Sequence, residues 1–321
     1  MRGPVLLAIA LLAAGCGRAG DAIANKAAVG DATACAAPQP DGDVLLAGGS
    51  FTLAALPEEP EEGPPRRVRV EAFSIDRTEV TNAQFREFVN ATGYVTLAER
   101  IPDPALYPGI PKEQLKPAAL VFAGEDAIGS RNPADWWRLV EGANWSRPEG
   151  HGSNIAGRER HPVVEVAYED ALAYARWRGR DLPTEAEWEF AARGGLEGAR
   201  FEWSNDEPQD GKPRANIWQG VFPVNDAGQD GYKARTAPVG CFPSNRFDLY
   251  DMTGNVWEWT SDWFADGRLA GDRFREHVIK GGSFLCADSY CLRYRPAARQ
   301  GGPPDTGSSH IGFRTVSRGK R

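Results

Sequence analysis

Apolar and polar residues alternate along residues 66–80, RRVRVEAFSIDRTEV, which are rich in β-branched and aromatic side chains. A period of two puts successive side chains on opposite faces of a strand, so this segment is predicted to be a strand or one arm of a hairpin. After residue 195, Gly, Pro, Asn and Asp recur every few positions. That spacing predicts short strands and ordered loops up to the C terminus.

Three other segments have the apolar spacing of amphipathic helices: residues 81–93, 168–179 and 182–195. Thr81 and Gln84 open the first with a capping box, in which each side chain accepts a hydrogen bond from a backbone N–H at the helix start. Thr184 and Glu187 have the same spacing at the start of the third segment. Gly93 ends the first helix, because glycine readily adopts the left-handed conformation that terminates helices. The chain is therefore predicted to combine α and β elements.

The composition is typical of a globular domain with many loops. Of the 321 residues, 41% are hydrophobic, and the chain contains 36 Gly, 24 Pro, 10 Trp and 14 Phe. Large aromatic rings bury substantial area where regular elements are short. No internal repeat and no break in composition follows residue 47, so residues 48–318 are predicted to form one loop-rich α+β domain.

The charge balance excludes one class of partner. The formal net charge is −7 and the isoelectric point is near 5.3. A surface that binds nucleic acid needs a basic patch for the phosphates, and the sequence has neither such a stripe nor a zinc-finger spacing. Nucleic acid is not expected as a partner.

The N-terminal sequence MRGPVLLAIALLAAGCGRAG predicts export. Arg2 precedes an apolar run from Val5 to Ala14 that is too short to cross a bilayer, and small residues lead to Cys16. The segment resembles a bacterial lipoprotein signal, with residues 1–15 removed and lipid attached to Cys16. An ordinary secretory peptide is the alternative. Both predict an exported protein, and the first predicts a lipoprotein anchored to the membrane on its periplasmic or cell-surface side.

Residues 16–47 are predicted to be a flexible tether, because Ala, Gly, Asp and Pro dominate there without periodicity. Cys35 lies in this stretch. A disulfide from Cys35 to Cys241 would form in an oxidising compartment, but spacing alone does not fix which cysteines pair, so the pairing stays open.

Common catalytic motifs are missing from the sequence. It contains no nucleophile elbow, no P-loop and no dinucleotide fingerprint. Its four histidines do not have the spacing of a local metal site, and each is expected to be structural or at the surface. They are His151, His161, His277 and His310.

The segment GGSFLCADSYCLRYRPAAR, residues 281–299, carries the strongest chemical signal. Cys286 and Cys291 lie five positions apart, and a disulfide closing so small a loop would stabilise the fold little. Two neighbouring soft thiolates are instead suitable ligands for Cu(I). Gly281, Gly282 and Ser283 would allow close backbone approach and supply a hydroxyl. Three arginines, Arg293, Arg295 and Arg299, would favour the thiolates if the fold brings them close.

These residues resemble the formylglycine-generating enzymes, also called sulfatase-modifying factors. KGGSFLCADSYCLRYRPAAR and PPDTGSSHIGFR resemble the C-terminal signature of that family, and HPVVEVAYEDALAYARWRGRDLPTEAEWEFAARGG and LYDMTGNVWEWTSDWF occur in the family's order. The similarity extends from about residue 48 to residue 318. It implies the family's fold, which has little regular secondary structure and is related to C-type lectins.

The resemblance also implies a reaction. Cu(I) would be held by Cys286 and Cys291, with Ser283 near the oxygen and substrate site, and O2 would oxidise a substrate cysteine to Cα-formylglycine. The substrate would be an unfolded sulfatase polypeptide with a Cys-x-Pro-x-Arg core. Tyr290, Arg293 and His310 would line its groove. His310 stands where some relatives have Asn, and it would either donate a similar hydrogen bond or make binding sensitive to pH near 6 to 7.

The family further implies two structural calcium ions. The first set of matching positions is Asn216, Ile217, Asp230 and Tyr232, and the second is Asp251, Gly254, Val256 and Glu258. Such a mixture of side-chain and carbonyl oxygens suits a hard cation, although both loops would also read as tight turns.

Two alternative functions remain at this stage. One is a non-catalytic module that binds a peptide or carbohydrate on the same fold, with Cys286 and Cys291 joined in a disulfide. The other is an oxidase acting on cysteines of non-sulfatase proteins. A monomer is expected in each case.

Overall fold

The computed structural model describes residues 35, 41–124, 130, 132–206, 211–264 and 275–319. All of them belong to one compact unit, Thr33–Arg321. Short elements joined by long ordered loops make up this unit, which confirms the predicted loop-rich α+β domain. The proposed signal peptide 1–15 and the lipid site at Cys16 lie outside the described residues.

Within the described part of the chain there are three α-helices: α1 Asn82–Thr92, α2 Tyr168–Trp177 and α3 Glu185–Ala192. The strands in the described residues are β1 Asp43–Leu46, β2 Gly49–Leu53, β3 Arg66–Val70, β4 Phe73–Asp76, β5 Ala118–Phe122, β6 Trp137–Glu141, β7 Trp257–Trp263, β8 His277–Lys280, β9 Gln300–Gly302, β10 Ile311–Gly312 and β11 Val316–Arg318. Short 3-10 helices occupy Pro60–Glu62, Leu97–Glu99, Pro104–Leu106, Lys112–Gln114 and Pro133–Trp136.

The strands form small separate sheets. One has the order β1-β4-β11, with both pairs antiparallel, and another has the order β10-β7-β8-β9, in which only β10 and β7 are parallel. Two antiparallel hairpins, β2-β3 and β5-β6, complete the set. The N-terminal strand β1 and the C-terminal strand β11 flank the same strand, so the two ends of the domain close one sheet.

Residues 66–80 were predicted to be a strand or one arm of a hairpin; the hairpin arm is confirmed for Arg66–Val70, which pairs with β2, but one continuous strand is wrong. The segment forms β3 and β4, which belong to different sheets. The break between the two strands is at Glu71. Gly48 packs so closely there that a Cβ added to Gly48 would lie 2.3 Å from the carbonyl oxygen of Val70. The alternation indicates which side chains are buried, but it does not indicate which neighbouring strand each half of the segment pairs with.

The helix predictions are confirmed in position and start. Thr81 accepts a hydrogen bond from the backbone N–H of Gln84 at 3.3 Å, and the Gln84 side chain accepts one from the Thr81 N–H at 2.9 Å. Thr184 and Glu187 make the reciprocal pair at 3.1 and 2.7 Å. Gly93 ends α1 with φ of 67°, in the left-handed region.

The N-terminal segment is attached more firmly than a tether. Cys35 forms a disulfide with Cys241, which resolves the pairing that the sequence left open. Strand β1 begins at Asp43, so the predicted tether boundary at residue 47 lies too late in the chain. The four residues of β1 are too few to display a clear apolar–polar alternation. They form a strand because β4 offers an antiparallel partner. Among the residues described, no helix has the length and apolar character needed to cross a membrane.

Candidate functional site

Cys286 and Cys291 lie together in the main hydrophobic core. Neither is in a disulfide, both are buried, and their Sγ atoms are 2.8 Å apart. The tight turn between them brings the sulfurs together, because the carbonyl oxygen of Ala287 accepts hydrogen bonds from the N–H groups of Tyr290, Cys291 and Leu292 at 2.9 to 3.1 Å. The predicted pair is therefore a dithiol, and two adjacent soft sulfurs form a donor set suited to Cu(I).

The two thiols are electrostatically different. Burial and the neighbouring Cys291 raise the pKa of Cys286 well above its usual value. The hydrogen bond with Cys286 lowers the pKa of Cys291, and the Arg293 guanidinium lowers it further. Cys291 is consequently the sulfur that ionises first, with the Cys286 S–H as its hydrogen-bond donor.

Of the three arginines considered from sequence, only Arg293 acts on the thiols. Arg295 is buried and pairs with Glu62. Arg299 pairs with Glu185 at 2.8 Å. The expectation that all three favour the thiolates holds for Arg293 alone, which contributes to the lowered pKa of Cys291, whereas Arg295 and Arg299 do not contribute to it.

Glycines let the cysteine segment pass close to its neighbours. Gly281 and Gly282 have φ of 94° and 73°. A Cβ on Gly282 would lie 2.8 Å from the Cα of Tyr294, closer than real Cβ contacts, so this position needs glycine. Ser283 follows, fully buried, and its carbonyl oxygen accepts the Cys286 N–H at 2.9 Å. Ser283 thus fixes the start of the loop that carries the first sulfur.

Aromatic rings form one wall beside the dithiol. Phe222 stacks on Tyr290 with ring centroids 4.7 Å apart, and meets Trp136 edge-on at 5.0 Å. Tyr290 remains 52% exposed although it adjoins Cys291, so the wall opens to solvent next to the sulfurs. Tyr290 was predicted from the sequence, but Trp136 and Phe222 were not, because no local motif distinguishes them from the other aromatic residues.

His310 continues this wall from another segment. Its ring centroid lies 4.6 Å from that of Trp137, and its Nδ1 is 2.7 Å from the Ser308 hydroxyl. Burial lowers the pKa of His310 to about 3. The ring is therefore neutral between pH 6 and 7, and the expected titration in that range is wrong.

The β5-β6 hairpin connects this wall to a large cavity. Phe122 and Trp137 are register partners at one end of the hairpin, and Ala118 and Glu141 are partners at the other. Register partners lie on the same face of the hairpin. The four residue steps from Phe122 to Ala118, at about 3.3 Å each, place the far end of this face about 13 Å from the aromatic wall. The cavity there has a volume of about 580 Å³. Its lining includes Ile101, Leu106, Leu139, Asp103 and Asp305.

The first predicted calcium loop lies directly beside the second. The Asn255 N–H donates to the Asn216 carbonyl oxygen at 2.8 Å, and the Asn216 side chain donates to the Asn255 side chain at 3.1 Å. Burial raises the pKa of Asp230 to about 6, and Asp226 contributes in the same direction. A buried carboxylate next to another carboxylate favours a cation, so Asn216 and Asp230 fit an oxygen-ligand site.

The second loop contains more negative charge than its protein partners neutralise. Glu258 forms a double ion pair with Arg314, both contacts at 2.7 Å, and accepts the Trp188 indole N–H at 2.8 Å. Asp251 accepts the Gly240 N–H at 2.6 Å, and burial raises its pKa to about 6.

Two more carboxyl groups surround Asp251 and Glu258. Glu79 and Glu202 are buried, and each has an oxygen without a hydrogen-bond partner. Burial and the charge of Asp251 raise the pKa of Glu202 to about 8 and that of Glu79 well above its usual value. The four carboxyl groups around one guanidinium would carry surplus negative charge if all of them ionised, and the raised pKa values favour the protonated forms of Glu79 and Glu202 instead. A hard cation at this site would offset that charge and let them ionise.

Both loops border the cysteine segment. The Phe284 N–H donates to the Asn255 carbonyl oxygen at 3.0 Å, and the Trp218 N–H donates to the Cys286 carbonyl oxygen at 2.9 Å. Across the described residues no three His, Cys, Asp or Glu side chains converge as a metal site. Each predicted calcium set contains at most two carboxylates, with amide and carbonyl oxygens as the remainder, and the copper set contains two cysteines.

Comparison with known proteins agrees with this geometry. Residues 30–319 match the family described as sulfatase-modifying factor enzyme 1-like domain. The formylglycine-generating enzyme of Mycobacterium tuberculosis is 49% identical over 85% of this chain and 97% of its own length. A mouse relative named inactive C-alpha-formylglycine-generating enzyme 2 is 41% identical over 85% of both chains.

A solved structure shares the fold. PvdO from Pseudomonas aeruginosa superimposes with a TM-score of 0.59 at 25% identity, covering 88% of this chain and all of PvdO. The family match covers almost the whole domain, including both cysteines and both acidic loops. The chain therefore belongs to the sulfatase-modifying factor family of formylglycine-generating enzymes.

Proposed function

We propose that the protein is a copper-dependent oxidase that converts a cysteine in a sulfatase Cys-x-Pro-x-Arg segment to Cα-formylglycine. One observation carries this proposal: a buried, unlinked dithiol lies next to an aromatic wall that is open to solvent. A binding module that used these cysteines as a structural disulfide would not need them reduced. Relatives named formylglycine-generating enzyme support the same chemistry.

Cys286 and Cys291 would hold Cu(I), which supplies the activation of O2 when bound. Cys291 is suited to be the anionic ligand, because its pKa is lowered by Cys286 and Arg293. Ser283 and Ala287 fix the loop between the two sulfurs. The protein's main contribution is to hold the substrate cysteine beside this pair in a site shielded from bulk water.

The net reaction needs electrons beyond those of the substrate. One substrate cysteine, one O2 and two external thiols give formylglycine, hydrogen sulfide, one disulfide and one water. The substrate loses two electrons at Cβ when its C–S bond is replaced by C=O, and the external thiols supply the other two that O2 requires. No side chain of the protein is oxidised or reduced in this balance, so Cys286 and Cys291 serve in it only as metal ligands.

The substrate segment would lie along the aromatic wall and the β5-β6 face. Tyr290, against Trp136, offers a flat apolar surface beside Cys291, and neutral His310, against Trp137, offers a hydrogen-bonding ring. The cavity about 13 Å further along suits a side chain four residues from the reacting cysteine. Its apolar lining would pack an arginine stem, and Asp103 and Asp305 would face the guanidinium.

Arg293 does not fit the groove as well as expected. Its guanidinium is held by glutamates at 2.7 and 3.4 Å, so its charge is already compensated. Tyr290 and His310 are the groove residues that this proposal retains from the sequence.

Calcium is proposed as a structural component. Asn216, Asp230 and the carbonyls of Ile217 and Tyr232 would hold one ion, and the second set would hold the other. The second set is Asp251, Glu258 and the carbonyls of Gly254 and Val256. The orphaned carboxyl oxygens near Asp251 support the second ion, and both loops are bonded to the segment that carries the cysteines.

The N-terminal sequence supports a proposal for the cellular location. Export and lipid attachment at Cys16 are proposed from its sequence, with a monomeric catalytic domain on the periplasmic or cell-surface side. The Cys35–Cys241 disulfide supports an oxidising compartment. The sulfatase client would meet the enzyme there before folding.

Mass spectrometry of a sulfatase peptide tests the proposal. After incubation with the protein, Cu(I), O2 and a thiol reductant, the peptide is expected to lose about 18 Da as the thiol becomes an aldehyde. A Cys291→Ser variant should abolish this change while still binding the peptide. A peptide with alanine in place of its cysteine is the control. Peptide binding without any mass change would instead establish the non-catalytic module.

A further inference from the structure

Four glutamates in the segment Glu58–Glu62, called the acidic strap below, lie against the arginines that follow Cys291. The sequence around it is PEEPEEGPP, a charge run that would ordinarily be a solvated surface. In the fold its side chains are instead half-buried or buried, and the Glu62 side chain is fully buried. The strap is separated from its arginine partners by more than 230 positions in the chain.

On one side, Arg293 and Arg295 form ion pairs with the acidic strap. Arg293 donates from Nε and Nη2 to Glu61 Oε1, at 2.8 and 2.7 Å, and its Nη2 lies 3.4 Å from Glu59 Oε2. Arg295 forms a buried two-point ion pair with Glu62. Charge-assisted contacts of this kind fix the plane and direction of a guanidinium.

The same two arginines contact the cysteine loop on their other side. Arg293 Nη1 donates to the Cys291 carbonyl oxygen at 3.5 Å, and Arg295 Nε donates to the Leu292 carbonyl oxygen at 3.0 Å. Leu292 has φ of 41°, a conformation that a non-glycine residue keeps only when its surroundings enforce it. The arginines thus bridge the strap to a strained backbone immediately after the second sulfur.

We propose that the acidic strap positions Cys291. Glu61 and Glu62 hold Arg293 and Arg295, the arginines hold the carbonyls of Cys291 and Leu292, and this arrangement directs the Cys291 sulfur towards Cys286. Glu61 is a positioning residue, since it touches neither the dithiol nor the groove. The inference concerns the loop itself and rests on the proposed function only for its copper and turnover readouts.

Amide hydrogen exchange in the metal-free protein is the primary test. In a Glu61→Ala variant the amides of residues 286–293 are expected to exchange about tenfold faster, because local opening of the loop becomes easier. Glu61→Asp should restore most of the protection by keeping the charge. Glu197→Ala is the matched control, since Glu197 pairs with Arg67 at the surface, away from the cysteine segment.

Copper affinity and turnover provide readouts that a purely structural contact would not change. In competition with a chromophoric Cu(I) chelator, Glu61→Ala should bind Cu(I) about tenfold more weakly than the wild type, the size of effect typical of residues that orient metal ligands. With a saturating peptide its kcat should fall while KM stays within twofold, and Glu61→Asp should recover both values.

The possible results separate the two proposals. The role of the strap is overturned if the amides of residues 286–293 exchange at the wild-type rate in Glu61→Ala, or if Glu197→Ala accelerates their exchange equally. The role of the strap is also overturned if the loop of Glu61→Ala exchanges faster but the variant binds Cu(I) as tightly as the wild type does. A wild type that takes up no Cu(I) refutes the copper proposal alone, because the exchange measurement on the metal-free loop still decides the inference.

Discussion

Single residues set the path of the cysteine segment, and Gly282 is the most constrained of them. A Gly282→Ala variant is expected to unfold at least 2 kcal/mol more easily than the wild type, because left-handed strain adds to a backbone collision. Gly93→Ala is the matched control: Gly93 has φ of 67° with no atom within 4 Å of the added Cβ, so only the strain of about 1 kcal/mol applies. Urea denaturation of both variants measures the difference, and equal losses would show that Tyr294 moves aside freely.

At the scale of single residues, the site residues that were predicted correctly are those that lie in one short segment of the chain. Cys286, Cys291 and Ser283 stand in one short motif, and the hydrogen bonds to Ala287 that close the turn between the two cysteines also lie within that motif. The acidic strap and the aromatic wall were missed because their partners are remote in sequence. Nothing near Glu62 indicates that Arg295, 233 positions away, will neutralise it.

At the scale of elements, the capping boxes are the features that the sequence identified most directly. Their partners are three residues apart, so no tertiary information is needed. A Thr184→Ala substitution is expected to lower the free energy of unfolding by about 1 kcal/mol, the usual loss when an N-cap oxygen is removed. Thr184→Ser keeps the oxygen and should stay within a few tenths of a kcal/mol of the wild type. Chemical denaturation distinguishes the two variants, and equal losses would mean that the Thr184 methyl group rather than its hydroxyl stabilises α3.

Strands were predicted less well than helices for a physical reason. The pairing of β4 with β1 and β11 joins residues that are far apart in the chain, and the two-residue break at Glu71 is defined by packing against Gly48. A short strand such as β1 exists only because β4 supplies a partner, so its residues resemble a tether when the sequence is read alone.

At the scale of the whole molecule, the ends of the chain stabilise the domain that carries the site. Strands β1 and β11 flank β4, and the Cys35–Cys241 disulfide joins the N-terminal segment to the loop that leads to the second acidic cluster. Tyr232, whose carbonyl is a predicted calcium ligand, packs near Cys241, with its hydroxyl 3.7 Å from the sulfur. The dithiol and the disulfide therefore belong to one framework but have opposite redox states.

This difference predicts the response to reductant. A disulfide across 206 positions restricts the unfolded chain, so its reduction should lower the free energy of unfolding by about 3 kcal/mol. A Cys35→Ser/Cys241→Ser variant should have the stability of the reduced protein and should not respond to dithiothreitol. A Cys286→Ser/Cys291→Ser variant should still respond as the wild type does, because Cys286 and Cys291 are already free in the wild type and the variant keeps the Cys35–Cys241 disulfide. Denaturation curves with and without dithiothreitol measure these effects, and a wild type indifferent to reductant would show that the N-terminal segment does not stabilise the domain.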